Sequence, residues 1–371
     1  MQFGADAPRE HTMPSTLSTR IDGLAELKPR RILCCQLRQI GDALLLTPSI
    51  TMLRRRYPDA VIDVLTEKKC APVLENNPDI HHVWAFDHKM GFFECLRYYR
   101  KVGTGGGQGR YDMIVDFQQL PRIRWVIALS DAPVKLTFSP PWYNQLFYTH
   151  WVPVTDGYAA ECKAGVLTKA LGLPWVNDPP RLCLTEAERE SAKAELAAWG
   201  LKADQRLITV DPTHRRLTRQ WPARHYAKLL ALTALQRPDL CFLLLYGPGE
   251  LEMAAKVRTL ALEAGLPPER IILPPRLTSL REMAAMQAQA ALHLGNCSSP
   301  RHIAVGVGTK TFTVRGSTSA AWTFPGPGHV DVALGLSCQP CCKNTCSIGN
   351  KCLEELEPEV VLPQLLALLD E

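Results

Sequence analysis

Residues 31–48 read RILCCQLRQIGDALLLTP and carry the clearest fold signal in this chain of 371 residues. The apolar run from Arg31 to Leu37 is followed by a polar loop that closes on Gly41 and Asp42. An apolar-periodic segment comes next and stops at Pro58. This order predicts a β-strand, a loop and an α-helix.

The same alternation of strand and helix continues in two series, with the strongest linker signal at residues 172–180 between them. Such alternation favours parallel sheets covered by helices on both faces, and these sheets bind ligands at the carboxyl ends of their strands. We therefore expect an α/β protein with an N-terminal extension at 1–29 and two Rossmann-like domains at 30–175 and 185–371. Further predicted strands cover 60–66, 82–86, 111–117, 134–138, 206–210, 241–246, 271–273, 291–295 and 311–314, and predicted helices cover 70–77, 92–101, 160–171, 186–199, 223–235, 250–264, 277–288 and a short segment from about 300.

The composition is that of an ordinary globular protein. Hydrophobic residues make up 46% and charged residues 21% of the chain, which excludes disordered, fibrous and membrane-spanning classes. The first 29 residues resemble neither a secretory signal nor a membrane anchor, so we expect a cytoplasmic protein with at most peripheral membrane contact. The net charge is +5, and basic clusters at 54–56, 68–69 and 97–101 suit an anionic acceptor or membrane surface, or are solvated helix faces.

Asp42 follows the first predicted strand, at the edge where parallel sheets bind ligands. A carboxylate at this position can accept a proton from an attacking hydroxyl group. Alternatively, it only caps the helix that follows, by accepting hydrogen bonds from free amide groups. Position alone leaves both interpretations open.

A second loop, VDPTHRRLTRQWP at residues 210–222, follows the first strand of the second series. It holds Arg215, Arg216 and Arg219 beside the hydroxyl groups of Thr213 and Thr218. Guanidinium groups, hydroxyls and a helix N-terminus all favour oxyanions, so this loop predicts a diphosphate site. A solvated basic loop is the alternative.

A third segment, LGNCSSPRHIAVG at residues 294–306, again runs from a strand into a helix. Ser298 and Ser299, with the free amides at the helix start, can hold a phosphate or a sugar hydroxyl. His302 is more typical of a structural histidine than of a catalytic one.

Other motifs do not support the functions that they suggest. The stretch GTGGGQG at 103–109 precedes a strand, so it does not fit a dinucleotide-binding turn, and GVGTKT at 306–311 lacks the spacing of a P-loop. Eight of the thirteen cysteines are scattered through apolar segments and indicate no disulfides. The other five lie at 338–352, where zinc is chemically possible but the spacing lacks a paired CxxC pattern, so we predict no metal site.

Together and in this order, these segments resemble glycosyltransferase family 9, the ADP-heptose:lipopolysaccharide heptosyltransferases. The matching features are Gly41-Asp42 with Thr47-Pro48, an arginine just before Trp221-Pro222, a glycine-rich strand end at 246–250, and a late segment of the type Gly-x-Asp-Ser-Gly-Pro-x-His at 295–302. The C-terminal cysteine cluster is also recurrent in the family.

The resemblance implies a GT-B fold with two Rossmann-like domains. It implies an ADP-sugar donor bound by the C-terminal domain, and an anionic lipid-linked saccharide of the lipid A–Kdo type bound by the basic N-terminal domain. The expected setting is the inner face of the inner membrane, with peripheral attachment, no cofactor and no nucleic-acid partner. Inverting transfer would then use Asp42 as the general base.

The family pattern also implies individual binding residues. Arg219 takes the place of a lysine that contacts the donor phosphates, and Glu250 or Glu252 lies near the position of a ribose-binding acid. The full predicted donor set is Thr213, Arg216, Thr218, Arg219, Gly247, Glu250, Glu252, Cys297, Ser298, Ser299 and His302. The predicted acceptor set is Arg38, Arg54 and Lys68.

Cys297 is the main departure from the family, because it occupies the position of an aspartate, and Ser299 replaces a glycine. A thiol does not replace a carboxylate as an acceptor for sugar hydroxyls. A relative that uses another nucleotide sugar or acceptor, or an inert nucleotide-binding relative, therefore remains an alternative. Retention of Asp42 and Arg219 argues against inertness.

Overall fold

The computed structural model describes residues 19–24 and 26–371. Residues 1–18 and 25, which belong to the predicted extension at 1–29, lie outside the described part. The chain divides into two compact units, with the division between Cys183 and Leu184. Each unit holds a six-stranded sheet in which all strand pairs are parallel, so the predicted α/β class is confirmed.

In the first unit the strand order is β3-β2-β1-β4-β5-β6. Because neighbouring strands are parallel, each connection carries the chain from the carboxyl end of one strand back to the amino end of the next. The strands are β1 Arg31–Cys35, β2 Val61–Glu67, β3 His82–Phe86, β4 Met113–Asp116, β5 Val134–Phe138 and β6 His150–Val152. The helices are α1 Ile40–Leu44, α2 Thr47–Arg56, α3 Phe92–Gly103, α4 Pro121–Ala128 and α5 Ala159–Leu171, with 3₁₀ turns at Ala71–Val73, Gly105–Gly107 and Trp142–Phe147.

In the second unit the order is β12-β11-β10-β7-β8-β9. The strands are β7 Arg206–Asp211, β8 Leu240–Leu244, β9 Ile271–Ile272, β10 Leu292–Asn296, β11 Thr311–Val314 and β12 His329–Val332. The helices are α6 Glu186–Ala198, α7 Ala223–Gln236, α8 Leu251–Glu263, α9 Leu280–Gln287, α10 Ser299–Gly306, α11 Lys351–Glu354 and α12 Pro358–Asp370, with 3₁₀ turns at Leu217–Arg219, Pro268–Arg270 and Ala320–Trp322.

Two predicted helices were wrong in extent. The helix expected after Asp42 is split into α1 and α2, because Pro48 has no N–H to continue the ladder. The Thr47 hydroxyl instead donates to the Leu44 carbonyl at 2.7 Å. The helix expected at 70–77 is only the 3₁₀ turn Ala71–Val73. The helices α4, α11 and α12 and the short strands β6 and β12 were not predicted.

Each sheet is packed into its own apolar core. Leu33, Phe86 and Tyr111 are buried in the first unit, and Trp221 and Phe312 in the second. The cysteines are free thiols among the described residues, and burial raises the pKa of Cys35 in β1 well above its usual range. These buried thiols therefore pack as neutral apolar groups. Within the described residues, we find no helix with the length and apolarity needed to cross a membrane.

Candidate active site

Asp42 lies at the carboxyl edge of the first sheet, as the third residue of α1. Its Oδ2 accepts a hydrogen bond from the Gln39 amide at 3.2 Å, which closes a capping box at the start of the helix. The capping interpretation is therefore correct for one carboxylate oxygen. The side chain remains 19% exposed, so it is also open to a ligand.

The other carboxylate oxygen faces a buried lysine. The Nζ of Lys163, in α5, lies 3.0 Å from Asp42 Oδ1 and donates to Gln36 Oε1 at 3.0 Å. The Lys163 side chain is only 1% exposed. A buried ammonium group is costly unless a negative group and hydrogen-bond acceptors surround it, so Asp42 is a required part of this site. Lys163 could not be identified from the sequence, because no local pattern links α5 to the loop after β1.

The loop after β1 is held by the loop after β4. Gln118 accepts hydrogen bonds from the Leu37 amide at 3.1 Å and the Arg38 amide at 3.2 Å. Gln118 is positioned in turn by the buried Asp116, which accepts from its amide at 2.8 Å. Burial raises the pKa of Asp116, although its hydrogen bonds act in the opposite direction. The backbone around Asp42 is thus fixed by neighbouring strands.

The three predicted acceptor residues have different surroundings. Arg38 is exposed beside Asp42, and Lys68 is exposed with an ion pair to Asp87 at 3.2 Å. Arg54 donates to the carbonyls of Pro58 and Ala60, both at 2.7 Å. Its guanidinium group is therefore committed to the local backbone, which gives Arg54 a structural role.

In the second unit, a polar cluster forms at the carboxyl edge around Asp211, the last residue of β7. Asp211 accepts hydrogen bonds from the hydroxyls of Ser298 and of Thr213, the latter at 3.2 Å. Thr213 also donates to Glu250 at 2.7 Å, and the Gly247 amide donates to the same Glu250 oxygen at 2.8 Å. The structure thus brings together four of the predicted donor residues, around an aspartate that the sequence analysis did not single out.

Asp211 is buried next to a second carboxylate, that of Glu250. Burial, reinforced by the negative charge of Glu250, raises the pKa of Asp211 to about 7, against hydrogen bonds from Ser298 and Thr213 that lower it. One hydroxyl carries one proton, so Thr213 cannot donate to both carboxylates at once. When Asp211 is protonated, it can donate to Thr213 while Thr213 donates to Glu250.

Asn296, the last residue of β10, connects this cluster to the arginine loop. Its side-chain amide donates to the carbonyls of Asp211 at 3.3 Å and Thr213 at 3.2 Å. Its side-chain oxygen accepts from the Trp221 amide at 3.0 Å. Trp221 is fully buried and donates from its indole nitrogen to the Leu356 carbonyl at 3.0 Å. The loop between β7 and α7 is therefore anchored at both ends.

The arginines of this loop are not paired with the described carboxylates. Within the described residues, neither Arg216 nor Arg219 forms an ion pair with a carboxylate, and the buried Nε of Arg219 has no hydrogen-bond partner. Burial, followed by repulsion from Arg216, lowers the pKa of Arg219. Burial and the same arginines lower the pKa of His214 to about 4, so this ring is neutral at pH 7. Such a surplus of positive charge favours an anionic ligand.

Thr218, a predicted donor residue, is used differently. Its hydroxyl donates to the Lys343 carbonyl at 2.9 Å, in the cysteine-rich segment, and its backbone carbonyl accepts from the Ser317 amide at 2.9 Å. A Cβ at Gly316 would lie 2.4 Å from the Thr218 carbonyl oxygen, so this close packing requires glycine. Among the described residues, no group of three or more His, Cys, Asp or Glu side chains is arranged to hold a metal ion.

The remaining predicted residues lie around the start of α10 or α8. Ser299 begins α10, and Glu252 is exposed in the first turn of α8. His302 is buried, with its ring 6.0 Å from that of Trp322, as expected of a structural histidine. Cys297 is buried, and its sulfur accepts from Arg301 Nη2 at 3.3 Å.

Comparison with known proteins gives a consistent match. The model of glycosyltransferase family 9 (heptosyltransferase) matches residues 100–352. Lipopolysaccharide heptosyltransferase 3 of Escherichia coli is 27% identical over 297 residues, which cover 77% of this chain and 83% of that protein.

Two solved structures share the fold. The family 9 glycosyltransferase from Veillonella parvula superposes with a TM-score of 0.77 at 21% identity, over 92% of this chain and 97% of its own. E. coli heptosyltransferase WaaC with ADP-2-deoxy-2-fluoro heptose superposes with a TM-score of 0.66 at 17% identity, over 91% of this chain and 99% of its own.

The ion pair between Lys163 and Asp42 predicts strong coupling in a double-mutant cycle. Asp42→Asn leaves the ammonium group buried without its counter-ion and should lower the unfolding free energy, as should Lys163→Met for the carboxylate. The double variant should lose less unfolding free energy than the two single variants lose together. Denaturant unfolding should give a coupling energy of about 1–3 kcal/mol. Lys169→Met, an exposed lysine on the same helix, serves as the control and should show no coupling to Asp42→Asn.

The pKa of Asp211 predicts a pH-dependent stability. The folded state binds this proton more tightly than the unfolded state, whose carboxyl group titrates near the ordinary value of 3.8. Stability from this group is therefore complete below about pH 4 and is lost as the pH rises to about 7. As the pH rises over that interval, the Tm of Asp211→Asn should increase relative to that of the native protein. Asp204→Asn, at an exposed position, should show no such change. Parallel Tm curves for Asp211→Asn and the native protein would contradict this assignment.

Proposed function

The chain belongs to glycosyltransferase family 9 and is a glycosyltransferase, and we propose that it transfers heptose from ADP-heptose to a lipopolysaccharide core acceptor. The single observation that carries the donor assignment is the pair Arg216 and Arg219, with the unpartnered Nε of Arg219, in the loop after β7, the strand that pairs with β10 before α10. Guanidinium groups and helix-start amides suit the diphosphate of a nucleotide sugar. The ligand named for the E. coli structural neighbour supports ADP-heptose.

The proposed reaction is one inverting displacement. Asp42 accepts the proton of an acceptor hydroxyl group as its oxygen forms a bond to the anomeric carbon. The bond from that carbon to the diphosphate breaks on the opposite face, and ADP leaves with the electron pair. Arg216, Arg219 and the amides at the start of α10 stabilise the charge on the departing diphosphate, so the proposal requires no metal ion or cofactor.

The two units divide the substrates in this proposal. The first unit, with Asp42, Arg38 and Lys68, binds a phosphorylated, lipid-linked saccharide of the lipid A–Kdo type. The second unit binds the donor, with Glu250 or Glu252 on the ribose and Ser298 and Ser299 near the sugar and phosphates. Because the acceptor is lipid-linked, we place the enzyme in the cytoplasm, at the inner face of the inner membrane.

A donor with a different sugar is the second candidate. Where the family pattern has an aspartate, Cys297 presents a neutral thiol that accepts from Arg301, a guanidinium group that is 1% exposed. The cysteine removes a negative charge near the predicted sugar subsite, while the positive charge of Arg301 stays beside it. A sugar that depends less on a carboxylate partner, or carries an anionic group of its own, would suit that change.

The test is ADP release by the purified protein with ADP-heptose and a Kdo-containing lipid A acceptor. We expect release that depends on both substrates. Arg219→Gln should raise the KM for the donor by roughly tenfold or more, because it removes a charge-assisted contact worth about 1.5–3 kcal/mol. Arg215→Gln, an exposed arginine of the same loop, should change it little.

Each other outcome identifies a different failure. Release with another nucleotide sugar but not with ADP-heptose would assign the second candidate. No release with any sugar nucleotide, together with intact ADP binding, would leave an inert nucleotide-binding relative and refute the proposed activity.

A further inference from the structure

Three elements of the first unit present large apolar side chains to solvent. They are α3, α4 and the 3₁₀ turn Trp142–Phe147, which follow β3, β4 and β5 and so begin at the carboxyl edge of the sheet. Asp42 follows β1 at the same edge. This surface, which we name the aromatic surface, therefore lies on the side of the unit at which the acceptor must arrive.

The exposure of these side chains is unusual. Phe92 is 75% exposed, Phe93 77% and Trp142 83%, and Leu146 in the same turn is 79% exposed. Every exposed large aromatic residue in the described part of the chain belongs to these three elements: Phe92, Phe93, Trp125, Trp142 and Tyr143. A concentration of this kind marks an interaction surface rather than scattered surface residues.

The three elements are packed side by side. A Cβ at Gly103, the last residue of α3, would lie 2.7 Å from the Val126 carbonyl oxygen of α4, so the two helices touch there. One turn earlier in each helix, Arg122 of α4 stacks over the Phe86 ring, which itself stacks on Tyr99 of α3. The turn Trp142–Phe147 packs against α4. The three elements that carry the exposed aromatic residues are therefore neighbours in the fold.

Basic residues extend the exposed side of α3. Phe92, Leu96 and Arg100 form one row at a spacing of four residues, and Phe93, Arg97 and Lys101 form the next. The first half of the exposed face is thus apolar and the second half basic, with Glu94 as the only acid of the helix. Within the described residues, Arg97 and Arg100 form no ion pair.

We propose that the aromatic surface docks on an anionic lipid bilayer. Phenylalanine and tryptophan favour the interface between headgroups and acyl chains, and arginine and lysine are attracted to anionic headgroups. Charge complementarity therefore selects a bilayer over a neutral protein partner. The inference rests on the proposed function in one respect: a lipid-linked acceptor would lie in the membrane on which this surface docks.

The direct test is flotation of the purified full chain with vesicles of phosphatidylcholine alone or with added phosphatidylglycerol. The native protein should float with the anionic vesicles and lose that binding as salt is raised. Arg97→Glu with Arg100→Glu should weaken partitioning by about 25-fold or more, because each basic residue contributes about fivefold. Phe92→Ser with Phe93→Ser should weaken it by roughly tenfold.

Leu235→Ser provides the control, because Leu235 is an equally exposed apolar residue of the second unit, at 79%. It should leave flotation unchanged. Equal flotation of all variants, or none by the native protein, would overturn the proposal. Self-association that Phe92→Ser with Phe93→Ser abolishes, in the absence of vesicle binding, would instead assign the surface to a second copy.

Activity separates this inference from the proposed function. With a water-soluble, deacylated acceptor, the surface variants should turn over like the native protein, and with acceptor in vesicles they should be slower. A native protein that floats but transfers no sugar refutes the proposed function and leaves the docking surface standing. A native protein that transfers sugar but does not float refutes the docking surface alone.

Discussion

Parallel pairing of neighbouring strands is the constraint on which both polar clusters depend. In the first sheet, Cys35 of β1 lies opposite Asp116 of β4, and in the second, Asp211 of β7 lies opposite Gly295 of β10. The loops that follow paired residues must begin side by side, so Gln118 can hold the backbone before Asp42. Likewise, Ser298 reaches Asp211. A side chain at Gly295 would be crowded, because its Cβ would lie 3.0 Å from that of Asp211.

Of the two roles that the sequence left open for Asp42, the structure shows the helix cap, and it adds a second contact to the carboxylate. One oxygen accepts from the amide that starts α1, and the other faces the buried ammonium group of Lys163. A carboxylate held on both sides is oriented before any substrate arrives, and such preorganisation is a general source of rate enhancement. In the proposed reaction Lys163 would act as a positioning residue, because its buried nitrogen contacts the Asp42 carboxylate.

The alternation of strands and helices was predictable because apolar periodicity is a local property, and the loops with Asp42, Arg219 and Ser298 followed from the strand positions. Contacts between distant segments were not predictable. In the sequence, Lys163 looks like any other lysine of a helix, and Asp211 looks like any other residue at the end of a strand. Only the folded structure shows that both are buried beside a charged or polar partner. For the same reason, the sequence could not show that Arg54 and Thr218 donate hydrogen bonds to backbone carbonyl groups. The short strands β6 and β12 carried too few residues for a clear pattern.

The central claim is that Asp42 is the general base of a transfer reaction, and a single-turnover rate tests it most directly. Enzyme in excess over ADP-heptose, with saturating acceptor, should lose about 100-fold or more of its rate on Asp42→Asn, while ADP affinity stays unchanged. Asp59→Asn, an exposed aspartate in the same unit, should retain the native rate. A native rate in folded Asp42→Asn would contradict this role. Asp42 would then be only the cap of α1 and the counter-ion of Lys163.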